Sequence, residues 1–258
     1  MIVFLSPHFD DAVYSCGGLL HQLTRQGQSV QVITLMGGMP THPAPDTPIV
    51  RQLHQRWGGY AEPVAVRIQE DQQAVRLLGA QPLHLPITDC IYRTDGQGNA
   101  LYPDDSSLWE LPHRDDPALD YLRSWSLPST VEKLYIPLGI GQHVDHIIVH
   151  EWALWYTNEH QWDASRIFFY ADYPYAGQQT AVEARLQMVR TYCPPLHMQA
   201  IPLSDEDLQA KIQAMQAYRS QVTSFWQDEW ELDQSMRAYH QRQRTHDGAF
   251  TEPYYQCF

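Results

Sequence analysis

MIVFLSPHFDD, residues 1–11, decides how the rest of the chain is read. An apolar run from Ile2 to Leu5 ends at Ser6-Pro7, and a histidine and two adjacent carboxylates follow. A helical pattern begins at once, with apolar residues at 13, 16, 19, 20 and 23. A buried strand that turns directly into a helix is the opening of a βαβ unit. One capping residue would satisfy the start of that helix. His8, Asp10 and Asp11 together exceed what a cap asks for, and all three can bind a metal.

The alternation continues along the chain. Strands are expected at 30–36, which is rich in β-branched residues, and at 82–87, 133–140, 166–173 and 197–203. Helices are expected at 64–78, stopped by Gly79, at 143–157, and after Ser204, an N-cap followed by acids that suit the positive end of a helix. The pattern predicts an α/β fold: a Rossmann-like, mostly parallel sheet with helices on both faces. No repeat or linker divides the chain, so residues 1–258 read as a single domain. GGMPTHPAPDTP, residues 37–48, reads as a loop and 93–118 as irregular; 38–62 and 93–118 are longer than ordinary connections, which makes them expected active-site walls. Residues 225–258 are left with three readings: lining the pocket, packing on a partner chain, or covering the sheet.

A formal net charge of −13 argues against a general grip on nucleic acid or on an anionic membrane, since both need a basic patch. The four cysteines are scattered and form no CxxC pair, so neither a thiolate zinc site nor a disulfide framework is expected, and a reducing, cytoplasmic compartment fits. No basic leader and no long apolar run is present, so neither a signal peptide nor a membrane span is expected. Oligomeric state is left open. The many tyrosines and tryptophans suit core packing or a sugar-binding rim, and packing is the favoured reading.

The partner of the first motif is LGIGQHVDHIIVH, residues 138–150. His143 and His146 are three apart at the start of a helix and so share a face. Both motifs fall at carboxyl ends of strands, the edge of an open parallel sheet where ligands bind, and they meet if their strands are neighbours. Two imidazoles and a carboxylate make a facial site for a divalent metal. Zinc is the default for hydrolysis, and ferrous iron uses the same donors. One aspartate of the pair is expected on the metal and its neighbour as a base. Taken singly, each motif also reads as a capped turn or as surface histidines; placed together, they read as one metal site.

At these residues the chain resembles the PIG-L/LmbE-like family of zinc-dependent N-deacetylases. Pro7-His8-Phe9-Asp10-Asp11 stands for its PHPDD-type motif and His143-Val144-Asp145-His146 for its HxDH-type motif. Cys16-Gly17-Gly18, Arg67 with Glu70, Leu78-Gly79, the stretch Tyr170 to Tyr175, and Lys211 with Tyr218, Ser220 and Gln221 resemble further pieces of the family pattern. Phe9 replaces the usual second proline, and Ala12 stands where many members have glutamate. The resemblance implies that His8, Asp11 and His146 hold zinc and that Asp10 is the general base. It implies that His143 is a protonated oxyanion partner and that Asp145 orients a histidine of its own motif. It also implies that Arg67 and Asp89 touch substrate hydroxyls. Against this, Arg67 also reads as a helical partner of Glu70 or Asp71 and Asp89 as a strand end, and for both this is the favoured reading. His150 reads as a packing residue one turn deeper or as a fourth ligand.

The function implied is removal of an N-acetyl (N-acyl) group from an amino sugar or glycoconjugate. Hydrolysis of an ester or phosphate is the alternative within the metal class, and an inactive sugar-binding relative is the alternative outside it. A doubly wound nucleotide binder would need G-x-G-x-x-G after the first strand, and PHFDD stands there instead.

Overall fold

In the computed structural model, which describes residues 1–40, 43–193, 195–242 and 249–257, seven strands form one sheet in the order β3-β2-β1-β4-β5-β7-β6. The strands are β1 (Ile2–Ser6), β2 (Val30–Thr34), β3 (Gln81–His84), β4 (Lys133–Pro137), β5 (Ile167–Tyr170), β6 (Leu196–Leu203) and β7 (Phe250–Cys257). The first five pair in parallel. β1 is buried throughout, and its side chains alternate between two cores. Ile2 and Phe4 enter one, Val3 and Leu5 the other. A strand covered on both faces must be apolar at every position, which is why it reads as an unbroken run.

The helices lie on both faces. α1 (Asp11–Arg25), α3 (Pro63–Leu77) and α7 (Asp205–Gln216) contribute to the core with Phe4; α4 (Pro117–Ser124), α5 (Val144–Glu159) and α6 (Gln179–Val189) contribute to the core with Leu5. The segment 38–62 is not all irregular, because α2 (Pro48–Arg56) forms there. Thr47 caps it and Pro48 occupies its first turn, where a missing N–H costs nothing. Thr41 and His42 of that segment lie outside the described residues. In 93–118 the chain is irregular apart from a 3-10 turn at Ser106–Trp109 and the start of α4, which Asp116 caps.

The helix expected after Ser204 forms with a full capping box between Ser204 and Asp207. It ends at Gln216, and a separate α8 (Arg219–Phe225) follows, then α9 (Glu229–Arg242). The C-terminal stretch belongs to the sheet itself. β7 inserts between β5 and β6, antiparallel to both, and pairs with all eight residues of β6; residues 243–248 and Phe258 lie outside the described residues.

A fully buried ion pair binds this late strand to the first helix. Lys211 Nζ lies 2.7 Å from Glu252 Oε1 and also donates to the Ser15 carbonyl at 3.1 Å. The Glu252 carboxylate accepts the N–H groups of Gly18 and Leu19 and the Tyr254 hydroxyl. Gly17 and Gly18 permit the approach: a Cβ on Gly17 would stand 2.7 Å from Lys211 Cγ, and one on Gly18 would collide with Leu203. Removing one charge leaves the other desolvated. Glu252→Gln is therefore expected to cost about 3–5 kcal/mol of folding stability. Urea unfolding checks this, and a cost below about 1 kcal/mol would mean the pair is not sealed from water.

Candidate active site

The sheet order reverses between β1 and β4, which are hydrogen-bonded neighbours with Ile2 opposite Lys133 and Phe4 opposite Tyr135. The two turns carrying the motifs therefore leave the same edge side by side, at the switch point of the sheet. They open into a cavity of about 280 Å³. Ile49, Leu53 and Trp57 form one wall, Leu108 and Trp109 another, and Tyr175 and Phe225 also line it. The charged groups facing it are His8, Asp10, Asp11, Asp89, Asp105, Arg56, Arg67 and His146.

Asp10 occupies the N-cap position of α1, yet its carboxylate makes no capping bond. Its backbone has φ +90° with ψ −36°, a sparsely populated region that costs a non-glycine residue about 1–3 kcal/mol. The strained turn leaves the side chain free for the cavity. Burial, and then the neighbouring Asp11 charge, push its pKa well above the carboxylate range, while Arg67, with Nη2 3.8 Å away, pulls the other way. Asp11 accepts the His8 backbone N–H at 2.8 Å. Its Oδ2 lies 3.3 Å from His146 Nε2 and 3.5 Å from His8 Nδ1. Burial raises its pKa, but the two rings outweigh that and hold it well below the usual range.

The other nitrogen of each ring is held by a carboxylate. His8 Nε2 lies 2.7 Å from Asp145 Oδ2, and His146 Nδ1 lies 2.7 Å from Asp172 Oδ1. The Asp145 carboxylate thus braces the histidine of the opposite motif. Asp172 is fixed in turn by the N–H groups of Gly139 and Ile140. Burial alone would depress both rings. The surrounding carboxylates win instead, raising His8 well above the ordinary value and His146 to about 10. This pocket is built for positive charge. Imidazoles braced from behind by carboxylates are the usual outer support of metal-ligating histidines. The donor atoms of His8, His143 and His146 lie within 4.8 Å of one another, and Asp11 Oδ2 is within 3.5 Å of two of those rings. The donor set fits a divalent ion of the zinc or ferrous type.

His143 differs from the expectation of a protonated imidazole. It is the N-cap of α5, and its Nδ1 accepts the Asp145 N–H at 3.3 Å. Burial, followed by repulsion from His8, lowers its pKa to about 3. The ring is neutral with its proton on Nε2. His150 stays out of the cluster. It is fully buried, its Nδ1 donates to the Pro137 carbonyl at 2.9 Å, and Tyr192 lies 3.3 Å from Nε2.

Arg67 has neither of the helical partners considered for it. Glu70 accepts from Ser220, and Asp71 binds Tyr218 and His84. The guanidinium stacks 4.4 Å above Trp57, reaches towards Asp10 and Asp89 at 3.8 Å, and leaves a buried Nε without a partner. Asp89 caps a 3-10 turn at Cys90–Tyr92, stands 3.8 Å from His8 Nε2 and faces the cavity. Arg93, Trp109 and the bracing role of Asp172 were missed in the sequence. Of these only Asp172 carried a signal, an acid two residues past a strand next to β4.

The family described as PIG-L: GlcNAc-PI de-N-acetylase matches residues 3–156, a span that contains both motifs. The chain belongs to this family of de-N-acetylases, enzymes that hydrolyse an N-acetyl amide. It is 32% identical over 190 residues to the 2'-N-acetylparomamine deacetylase of Niallia circulans, a match covering 67% of this chain and 66% of that protein. It is 28% identical over 230 residues to the protein of the same name from Streptomyces fradiae, covering 85% and 73%. The zinc-inhibited form of a teicoplanin deacetylase shares the fold, with a TM-score of 0.77 at 23% identity over 99% of this chain and 97% of that one.

The hydrogen bonds assign opposite tautomers to two neutral histidines. In metal-free protein, long-range nitrogen–proton NMR is expected to show His143 protonated on Nε2 and His150 on Nδ1. Burial lowers both pKa values to about 3, so neither ring is expected to charge between pH 7 and 5. A proton on Nδ1 of His143 would contradict the cap.

Proposed function

We propose that this chain is a zinc-dependent hydrolase that removes the acetyl group from the nitrogen of an amino sugar. One observation carries the reading: His8 Nδ1 and His146 Nε2 both face Asp11 Oδ2, while each ring's far nitrogen is braced by a carboxylate. His8, Asp11 and His146 would hold the ion. When bound there, zinc supplies Lewis acidity to the amide carbonyl and lowers the pKa of water. The relatives' names make an N-acetylated amino sugar such as 2'-N-acetylparomamine the first substrate to test.

The chain's own groups supply the proton transfers. Asp10, buried and poised high, takes a proton from the water that adds to the carbonyl carbon. It then gives that proton to the nitrogen as the C–N bond breaks, leaving acetate and a free amine. His143 donates its Nε2–H to the carbonyl oxygen as negative charge builds there, and a neutral donor suffices for this. Arg67 and Asp89, 3.8 Å apart and both facing the cavity, are placed to bind sugar hydroxyls. The segments 38–62 and 93–118 act as the walls that select the sugar, through Trp57 and Trp109.

Among the described residues no helix is long and apolar enough to cross a membrane. Cys16 and Cys90 carry free, buried thiols, which supports the placement in the cytoplasm.

Asp10→Asn is expected to keep zinc, measured by mass spectrometry, and to lose most turnover of the N-acetylated sugar. Loss of the metal instead would exchange the roles of Asp10 and Asp11. His143→Ala is expected to keep zinc and to slow turnover roughly a hundredfold or more, the scale of one oxyanion donor. Wild-type turnover in that variant would remove His143 from the reaction. A chelator should abolish activity and added zinc should restore it; full activity in metal-free protein would overturn the proposal.

A further inference from the structure

We propose that Arg93 is a positioning residue that ties the metal-facing pose of His8 to the wall of the cavity that receives the sugar. This rests on the reading of His8 as a metal ligand. Arg93 lies just past the 3-10 turn at Cys90–Tyr92 and is 3% exposed. It touches neither the cavity nor the reacting atoms. Its guanidinium stands between two buried carboxylates, and each leads to a different part of the site.

One arm runs to the metal. Arg93 Nη2 pairs with Asp145 Oδ1, while Asp145 Oδ2 holds His8 Nε2 at 2.7 Å and accepts the Cys90 N–H at 3.0 Å. With Nε2 engaged, only Nδ1 of His8 is left to face Asp11. The other arm runs to the wall. Arg93 Nε lies 3.3 Å from Asp116 Oδ2, an ion pair whose angle leaves Nε without a hydrogen bond, and the same Oδ2 accepts the Tyr102 hydroxyl at 2.7 Å. That hydroxyl oxygen accepts the His113 N–H at 2.9 Å. The segment from Tyr102 to Asp116 is thereby closed on itself. It carries Trp109, whose ring stands 5.3 Å from that of His143.

The choice of residue follows from this geometry. A planar guanidinium presents nitrogens in two directions at once, so it meets both carboxylates from one position. A lysine ammonium is a single point on a flexible stem and satisfies one of them. Two buried carboxylates left without this cation would repel each other, and Asp145 and Asp116 would both move. His8 would lose its brace and Trp109 its anchor together.

The two arms are separable by experiment. The readouts are the zinc dissociation constant, by competition with a chromogenic chelator, and kcat and KM on an N-acetylated amino sugar. Arg93→Met is expected to weaken zinc roughly 10- to 100-fold, the range for loss of support behind a metal ligand, and also to raise KM. Arg93→Lys should recover most of the zinc affinity but not the KM. Asp116→Asn keeps an oxygen to cap α4 and cuts only the wall arm. It should raise KM while leaving the zinc constant within about twofold, a shift that loss of one bracing contact would exceed. Arg93→Met combined with Asp145→Asn should weaken zinc no more than Asp145→Asn alone, since contacting residues on one path are not additive.

General loosening of the fold would not divide the two constants in this way. Equal zinc loss in Asp116→Asn and Arg93→Met, or additive losses in the double variant, overturns the proposal. So does an Arg93→Met protein with unchanged zinc affinity and KM. Should Arg93→Met not fold, Tyr102→Phe breaks the wall arm with all charges kept. A raised KM at constant zinc affinity is then the expected result, and an unchanged KM overturns it. A wild type that binds no divalent metal would overturn the reading of the site itself. A metal-binding wild type with unaffected variants overturns only the role of Arg93.

Discussion

The parallel pairing of β1 with β4 is the constraint on which the site depends. Neither motif assembles the donor cluster alone, because His8 and Asp11 lie far in sequence from His143 and His146. Backbone hydrogen bonds between the two strands put their carboxyl ends side by side. The crossover that returns the chain through β2 and β3 before β4 leaves a crevice at that edge, with helix starts on both sides. The register of β1 therefore positions the site as well as the two cores. A slip of one residue would reverse its two faces and carry the His8 turn with it.

Charge balance is the second constraint. Asp10, Asp11, Asp89, Asp145 and Asp172 crowd one small volume, and such a group repels itself unless cations answer it. Arg67 answers Asp10 and Asp89, Arg93 answers Asp145, and the carboxylates, outweighing burial, raise His8 and His146 so that both rings favour a second proton in the absence of an ion. A divalent ion must displace those two protons to bind, so metal affinity and acidity are linked at this site. The same crowding produces the division between the paired aspartates. Asp11 faces two rings, which hold its pKa low against its burial; Asp10 is pushed up by burial first and then by the Asp11 charge. Two identical side chains, adjacent in sequence, acquire opposite acid–base character from where the strained turn aims them.

Much of this was legible in the sequence, for physical reasons. Short apolar runs and helical spacing place β1, α1, β2, α3, β4 and α5, because elements buried by their own periodicity need no distant partner to be recognised. The convergence of the motif residues was legible because both turns follow strands of one parallel sheet, whose carboxyl ends share an edge. The prolines before α2 mask it in the sequence, although Pro48 begins that helix. β7 was hidden because its place depends on β6 and β5, and FTEPYYQC shows neither clear alternation nor turn signals. Arg93 could not be found from its surroundings in sequence. Its partners are 23 and 52 residues away, and only the fold brings them together.

The two departures from the family motif now have physical content. Phe9, in place of proline, does not face the cavity. It is 2% exposed, with its ring 5.1 Å from that of His84 and 5.3 Å from the Arg67 guanidinium. Arg67 is therefore held between Phe9 and Trp57, which limits the rotamers open to a long side chain and fixes its distance from Asp10 and Asp89. Ala12, where glutamate is frequent, is 1% exposed and belongs to the core that contains Phe4, with its N–H bonded to Ser6 Oγ. A carboxylate at that position would be buried beside Asp10 and Asp11 and would add to the repulsion already there. Its absence removes one acid from a crowded turn and leaves the charge pattern of the site to the aspartates, whose partners the fold supplies one by one.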